Sequence, residues 1–437
     1  MSIAYLSAVF KKNGVMPDVY DTTFEKNPRS WLLDRLAEKS YEIVGISAMI
    51  TQIRDALEVA QTVKFFHPRT TVIIGGPQAT VMPERVIEHP AVDAVCIGEG
   101  EQVAERLVQA KGNLCEVNGV WFKRNGEVIK TAPLPRVNFD DIPLPVFDGL
   151  RMDRYLENWF QMDSVSPDLR GMPVMASRGC PYHCTYCQPT LDKIFGKKLR
   201  KRSPESIVEE LKRRIRDFGI NAFIFVDDTF PADRKWTFDV CQALESAELG
   251  LKWGANVRAD LVDEDLLIAM KNAGLAKIFI GVESASNRIL KEIYRKGITI
   301  EQVSMAIESA KKLGIKMQGY FMFGAPTETE EELKKTIEYA VSSPIDEAVF
   351  NLTTPLPGVE LYEKFPHLIK MCVEDMDYYR VSAWKGKDVL NASFLRRAQL
   401  KAYFSFYAKP TRLKKIAGQV VSPRFARKNF MKLKRIL

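Results

Sequence analysis

Short apolar runs alternate along the chain with longer stretches in which apolar residues recur at helical spacing, the pattern of strand and helix in turn. The first part predicts a helix from Ile3 to about Asn13, a strand near Asp18 to Asp21 and a helix from Trp31 to Ser40. YEIVGISA then reads as a strand, residues 54–66 as a helix, TTVIIGG as a strand, and VDAVCIG as another, with short helices after Pro83 and Glu101. This repetition predicts a doubly wound parallel sheet, in which ligands bind beyond the carboxyl ends of the strands. Those ends carry Ser47 to Thr51, Gly75-Gly76-Pro77-Gln78 and Gly98-Glu99-Gly100-Glu101. Their small residues either admit a bulky ligand to the backbone or simply make tight turns.

NGVWFKRNGEVIK, with Asn125-Gly126 at its centre, predicts a β-hairpin. The proline-rich APLPRVNFDDIPLPVFD reads as a linker. Beyond it, PVMAS, FIFVDD, LKWGANV, AKIFIGVES, KMQGYFMFG and EAVFNLTTP are strands separated by helices such as PESIVEELKRRIRDFG. Six such units are too few for an eight-stranded barrel, so a partial (β/α)6 barrel is expected. The pattern weakens from Tyr362 to Lys387. The expected domains are residues 1–130, a linker 131–165, a barrel 166–375 and a basic helical region 376–437.

The length supports two or three domains, and the 46% apolar and 27% charged content excludes disordered and small disulfide-rich classes. No apolar run approaches the ~18 residues of a membrane span, and MSIAYLSAVFKKNG is too weakly apolar for a signal peptide, so a cytoplasmic location is expected. After Asp388 the chain holds thirteen basic and no acidic side chains, so the net +8 belongs to the tail. That tail interleaves Tyr, Phe, Leu and Ile with Lys and Arg. It reads as a solvated helical face, a peripheral contact with an anionic membrane at its inner face or, least of all, a nucleic-acid surface.

SRGCPYHCTYCQ places Cys180, Cys184 and Cys187 on one loop. A closed zinc site needs four ligands, and His183 lies inside the triplet, where joining the same tetrahedron is hard. An iron–sulfur cube held by three cysteines would leave one iron open to another ligand. Cys96, Cys115, Cys241 and Cys372 are scattered and predict no disulfide framework.

C-x3-C-x2-C with Tyr186 before the last cysteine, after the first strand of a partial barrel, resembles the signature of the radical SAM superfamily. FVDDTF, ANVRAD, GVES, YFMFGAPTET and TPLPGVELY follow in the family's order. The resemblance implies a 4Fe-4S cluster on the three cysteines, S-adenosylmethionine on its open iron, and reductive cleavage to a 5′-deoxyadenosyl radical. It also implies an electron donor such as flavodoxin or ferredoxin. In the family's pattern Tyr186 and Asp228 flank S-adenosylmethionine, Glu283 and Ser284 meet its ribose or amine, and Arg258 pairs with its carboxylate. The backbone from Phe321 to Gly324 receives adenine. Of Asp227 and Asp228, one contacts S-adenosylmethionine or substrate and the other caps the next helix.

Before such a barrel, VGISAMIT, IIGGPQAT and VDAVCIGEGE resemble the cobalamin-binding domain of the cobalamin-dependent subfamily. The resemblance places the nucleotide tail and corrin edge at Gly75, Gly76, Pro77, Gln78, Gly98 and Glu99, with Ser47 and Thr51 nearby. Two departures stand out: there is no D-x-H-x-x-G, and MSIAYLSAVFKKNG matches what is usually the first helix, so a central strand is missing. Losing it would open the middle of the sheet. Either the start codon lies upstream, the sheet has rearranged, or cobalamin is lost. The subfamily implies methyl transfer to an unactivated carbon of a small molecule, a lipid or a tetrapyrrole. The alternatives are radical chemistry without methyl transfer, and a cluster- or cobalamin-binding protein without catalysis.

Overall fold

Two sheets backed by helices account for the alternation in the sequence. The computed structural model describes residues 1–377 and 379–414. In the first part, α1 (Ser2–Lys12) and α2 (Pro28–Glu38) precede β1 (Ile43–Ser47), α3 (Ile53–Phe66), β2 (Thr71–Gly75), α4 (Pro77–Val81), α5 (Pro83–Ile87), β3 (Ala94–Cys96) and α6 (Gly100–Gln109). A hairpin of β4 (Val120–Arg124) and β5 (Glu127–Lys130) follows. The strands lie in sequence order, the first three parallel and the last two antiparallel, with Ile73 opposite Ala94 and Ala94 opposite Phe122. Val72, Ile74 and Val95 are buried with Ala56, Ala60 and Val63 of α3. At the hairpin turn Asn125 has φ 51° and Gly126 φ 83°, the doubly left-handed turn that Asn-Gly favours.

The strand expected near Asp18 to Asp21 does not form. β1 pairs only with β2, so the sheet ends at β1 instead of opening in its middle. Without a strand beside it, the 18–21 segment is held by side chains. The Tyr20 ring meets Trp31 edge-on at 5.6 Å, and Tyr41 donates to Asp18 at 2.7 Å.

The second part opens with α7 (Met152–Glu157), β6 (Gly171–Val174), β7 (Ser177–Arg178), α8 (Thr190–Phe195), β8 (Arg200–Lys201) and α9 (Pro204–Phe218). It continues through β9 (Ala222–Phe225), α10 (Arg234–Ser246), β10 (Lys252–Val257), α11 (Glu264–Asn272), β11 (Leu275–Glu283) and α12 (Ile300–Lys312). Last come β12 (Lys316–Phe323), α13 (Glu330–Ser342), β13 (Glu347–Leu352), α14 (Glu360–Lys364) and α15 (Ala392–Tyr407). The order β6-β9-β10-β11-β12-β13 is parallel throughout and does not close, so the fold is a partial barrel. Phe223, Phe225, Phe230 and Trp253 fill the space between sheet and helices, Phe225 stacking on Phe230 at 4.2 Å.

An open barrel leaves the outer edge of β13 without a strand partner. Side chains of α15 at helical spacing occupy it: Tyr403 accepts from the Phe350 N–H at 3.1 Å and Tyr407 lies 3.3 Å from both the N–H and the carbonyl oxygen of Ala348. Gln399 donates to the Phe350 carbonyl at 2.7 Å. Replacing Tyr403 and Tyr407 with Phe keeps the packing and strands these backbone groups. We expect a loss of about 3 kcal/mol of stability in thermal melting, from about 1 kcal/mol for each of the three abandoned groups; an unchanged melt would contradict this role.

The weak pattern at 362–387 corresponds to short helical turns and one bridge between Ile369 and Trp384. The basic region beyond Lys414 lies outside the described residues. Among the described residues no helix is long and apolar enough to cross a membrane.

Candidate functional site

The cysteine loop leaves β7 through Gly179, whose φ of +93° and closeness to the Lys198 carbonyl disfavour a side chain. It is then stapled from two sides. Thr185 donates through its N–H to Tyr294 at 3.0 Å and through its hydroxyl to the Ile293 carbonyl at 2.6 Å. The N–H groups of Glu360 and Leu361 bond to the carbonyls of Gln188 and Thr185. These bonds hold the loop over the carboxyl ends of the barrel strands.

Around it the strand ends contribute side chains one by one. Arg258, after β10, donates to Cys184 Sγ at 3.6 Å, to Asp260 and to the Lys296 carbonyl, and lies 3.7 Å over the Tyr182 ring. Thr229, after β9, lies 3.6 Å from Cys180 Sγ. Glu283, at the end of β11 with φ +62°, is bound by Lys296 at 2.6 Å and accepts from Tyr186 at 3.3 Å. A β-carbon at Gly281 would stand 2.5 Å from Lys296 Nζ and press on the Glu283 carboxylate, so a side chain there would have to displace this ion pair. Burial pushes the Cys187 thiol well above its ordinary value, and the charges of Cys184 and Glu283 push it further.

The two aspartates separate cleanly. Asp227 is buried, accepts from the Ser177 hydroxyl at 2.5 Å and the Ala176 N–H at 3.2 Å, and burial pushes its carboxyl up to about 7. Asp228 is reached by solvent yet hemmed in by protein, which pushes its carboxyl up to about 6. Asp227 thus organises the wall behind the loop, and Asp228 faces whatever enters.

Cys180, Cys184, Cys187, Tyr186, Asp228, Arg258 and Glu283 therefore share one mouth. Ser284 does not join them. Its hydroxyl is fully buried on the other side of the strand, 3.3 Å from Thr336 of α13, and accepts from the Ser286 N–H. Phe321 has its ring inside the wall, stacked on Phe350 at 5.1 Å, and its peptide in the strand ladder. The Gly324 N–H is taken by Glu328 at 2.6 Å. Arg258 already has Asp260 as a carboxylate partner and stands by a cysteine sulfur. Lys296, which no motif in the sequence marks, is a second buried cation of the site beside Arg258. It lies past the GVES motif, and only the fold brings it back onto Glu283.

Glu328 gives the site a pH dependence. Burial pushes its carboxyl up to about 8 from an ordinary 4.5. An acid raised on folding contributes stability that is complete below its ordinary value and lost as pH rises toward its folded value. From pH 6 to 9 we expect the protein to lose on the order of 2 kcal/mol through this group. Glu328→Gln, which keeps the acceptor for Gly324, should flatten that part of the melting profile; parallel profiles for the two proteins would count against it.

In the first sheet, Ser47 and Thr51 are exposed beyond β1, and a β-carbon at Gly76 would stand 2.7 Å from the Ala48 carbonyl, so the loops after β1 and β2 touch only because glycine is there. Pro77 and Gln78 open α4. The Gly98 N–H bonds to Thr80 at 2.9 Å. Glu99 departs from the expectation: its carboxylate is buried and already engaged by Arg178 at 2.5 Å and Arg200 at 2.8 Å. Helix α4 packs directly on α8, the helix after the cysteine loop, so the loops of the first sheet and the mouth of the barrel adjoin.

Whether these residues suit the groups implied by the sequence can be tested on their chemistry. Among the described residues no His, Cys, Asp or Glu group is gathered at the spacing of a single metal ion, and His183 is exposed. A zinc tetrahedron with Zn–S bonds of about 2.3 Å would draw the sulfurs closer than the wider corners of an iron–sulfur cube. Three thiols with no fourth ligand among the described residues suit a cube with one open iron. On the other side, the amide of Gln78 is fully buried with neither its nitrogen nor its oxygen hydrogen-bonded, and the Thr190 hydroxyl on α8 is likewise orphaned. Such groups cost about 1–3 kcal/mol each if left unpaired, so they suit a polar ligand edge between α4 and α8.

Comparison with known proteins agrees with this arrangement. Residues 174–340 match the model of the radical SAM superfamily, and residues 1–108 that of the B12 binding domain. An uncharacterised methyltransferase of Pyrococcus horikoshii is 36% identical over 84% of this chain and 79% of its own length. The anaerobic magnesium-protoporphyrin IX monomethyl ester cyclase of Rubrivivax gelatinosus is 29% identical over 83% of this chain and 65% of its own. The radical S-adenosylmethionine methyltransferase TsrM of Kitasatospora setae, solved with cobalamin and a [4Fe-4S] cluster, shares the fold with a TM-score of 0.69 at 15% identity, over 84% of this chain and 71% of that one. The chain belongs to the cobalamin-dependent radical SAM family, whose cofactors are a 4Fe-4S cluster, S-adenosylmethionine and cobalamin.

Proposed function

We propose that this chain transfers a methyl group to an unactivated carbon of a small molecule. The observation that carries the reading is the junction of α4 and α8, which sets the loops of the first sheet beside the loop that carries Cys180, Cys184 and Cys187. When bound, the cluster and S-adenosylmethionine supply hydrogen-atom abstraction, and the corrin supplies the methyl group. Cys180, Cys184 and Cys187 hold the cluster, and Arg258 offsets negative charge at the Cys184 sulfur. Glu283, oriented by Lys296 and Tyr186, accepts hydrogen bonds from S-adenosylmethionine, and Asp228 offers its carboxylate to the mouth as an acceptor. Ser47, Thr51, Gly75, Gly76, Pro77, Gln78 and Gly98 receive the corrin and its tail, the glycines by exposing backbone and Gln78 through its unpaired amide.

The substrate class is a small molecule of the tetrapyrrole or lipid kind, and the cyclase among the relatives supports the tetrapyrrole. The exposed face of α15, with Phe404 76% exposed beside Arg397, Leu400 and Lys401, supports contact with an anionic membrane surface. Anaerobic reconstitution with iron, sulfide, cobalamin, S-adenosylmethionine, a reductant and a tetrapyrrole panel tests the reading. 5′-Deoxyadenosine and S-adenosylhomocysteine should form in comparable amounts. The resemblance to the cyclase favours a second reading, radical chemistry without methyl transfer, which 5′-deoxyadenosine alone would establish.

A further inference from the structure

Arg178, two residues before Cys180, is the meeting point of five separated stretches. Its guanidinium donates through Nη1 to Glu99 at 2.5 Å and through Nη2 to Glu101 at 2.6 Å. Glu99 sits between β3 and α6, at the end of the row of strand ends in the first sheet, and Glu101 lies in the first turn of α6. Beside it lie the rings of Phe139, from the linker, and Tyr5, from α1, at 4.5 and 5.3 Å, the two rings being neighbours with centroids 6.1 Å apart. Arg200 of β8 and Arg136 of the linker also reach Glu99, at 2.8 and 3.9 Å. The side chains of Arg178 and Glu99 are only 5% exposed.

A buried ion pair is weak evidence for stability, since desolvating the charges offsets much of their attraction; what it does supply is a fixed geometry. Here the geometry is a planar fork spread over two carboxylates and packed against two adjoining rings, which a lysine cannot reproduce. One end of that fork belongs to the strand that feeds the cysteine loop through Gly179, and the other to the loop beside the corrin-receiving glycines.

We propose that Arg178, clamped by Glu99 and Glu101, is a positioning residue that fixes the cysteine loop relative to the first sheet and so sets the separation of cluster and corrin. This rests on the proposed function. Arg178 does not touch the reacting atoms. Loosening the clamp should therefore spare cleavage of S-adenosylmethionine, which needs only the barrel, and damage the transfer that needs both halves.

Arg178→Lys and Glu101→Gln test this in the full chain, the second leaving the Glu99 contact in place should the first fold poorly. Iron content and melting temperature should stay near wild type, 5′-deoxyadenosine formation should change by less than about 3-fold, and S-adenosylhomocysteine and methylated product should fall by about 10-fold or more, since misplacement by 1 Å can cost about 100-fold. Without cofactors, amide hydrogen exchange in residues 177–188 should accelerate in both variants, together with residues 97–101. Both products falling together, or unchanged exchange in these two segments, would overturn the proposal. If the wild-type protein forms no S-adenosylhomocysteine, the methyl-transfer reading has failed, and the exchange measurement alone decides whether the two segments are coupled.

Discussion

Alanine at Cys180, Cys184 and Cys187 together should leave a folded protein that takes up no iron–sulfur cluster and cleaves S-adenosylmethionine only at background. The reason is local. The three thiols are the only cysteines on this loop, His183 is exposed, and no other described residue gathers into a metal-binding group with them. The surrounding fold should persist, because the loop is anchored through the backbone at Thr185, Gln188, Glu360 and Leu361, not through sulfur. The brown colour and the charge-transfer absorbance of the reconstituted wild type should vanish in the variant, while cobalamin uptake should be unchanged, since that site is built by the other sheet. A variant that still binds iron and cleaves S-adenosylmethionine would refute the assignment.

The second large effect is expected at Lys296. Replacing it with Met would leave Glu283 buried without its cation, a change that costs roughly 3 to 5 kcal/mol when one partner of a buried pair is removed. The site would feel this directly, because Lys296 lies 3.3 Å from the Tyr186 hydroxyl and Tyr186 precedes a cluster cysteine. We expect a lower melting temperature and a KM for S-adenosylmethionine raised by about 10-fold or more, which is about 1.4 kcal/mol of lost binding. Adding Glu283→Gln should restore most of the stability, since the uncompensated charge is gone, but not the KM. Stability and KM returning together would mean that Glu283 acts only as a structural partner of Lys296.

The residues that escaped the sequence are those whose meaning is set by distant parts of the chain. Periodicity located the strands and helices that form the partial barrel, and the Asn125-Gly126 turn is a local matter that local chemistry decides. The cysteine loop was equally legible, since its three thiols are neighbours in sequence. Glu99, by contrast, reads as a ligand-facing residue of a strand end, but Arg178, seventy-nine positions away, holds it. Ser284 lies next to Glu283, and strand alternation sends adjacent residues to opposite faces, so only one of the pair can meet the site. The segment at 18–21 has strand-like residues, but a strand needs a neighbour, and β1 has none to share on that side. Tyr403 and Tyr407 read as parts of an aromatic-basic tail, although they serve to close the edge of β13.

The central claim is that one chain holds an open-iron cluster and a corrin in adjoining sites, and the metal and corrin content of the anaerobically reconstituted protein tests it most directly. The account predicts about four iron and four sulfide per chain, as a 4Fe-4S cube requires, together with about one corrin. About one zinc per chain, with neither iron nor corrin retained, would contradict it.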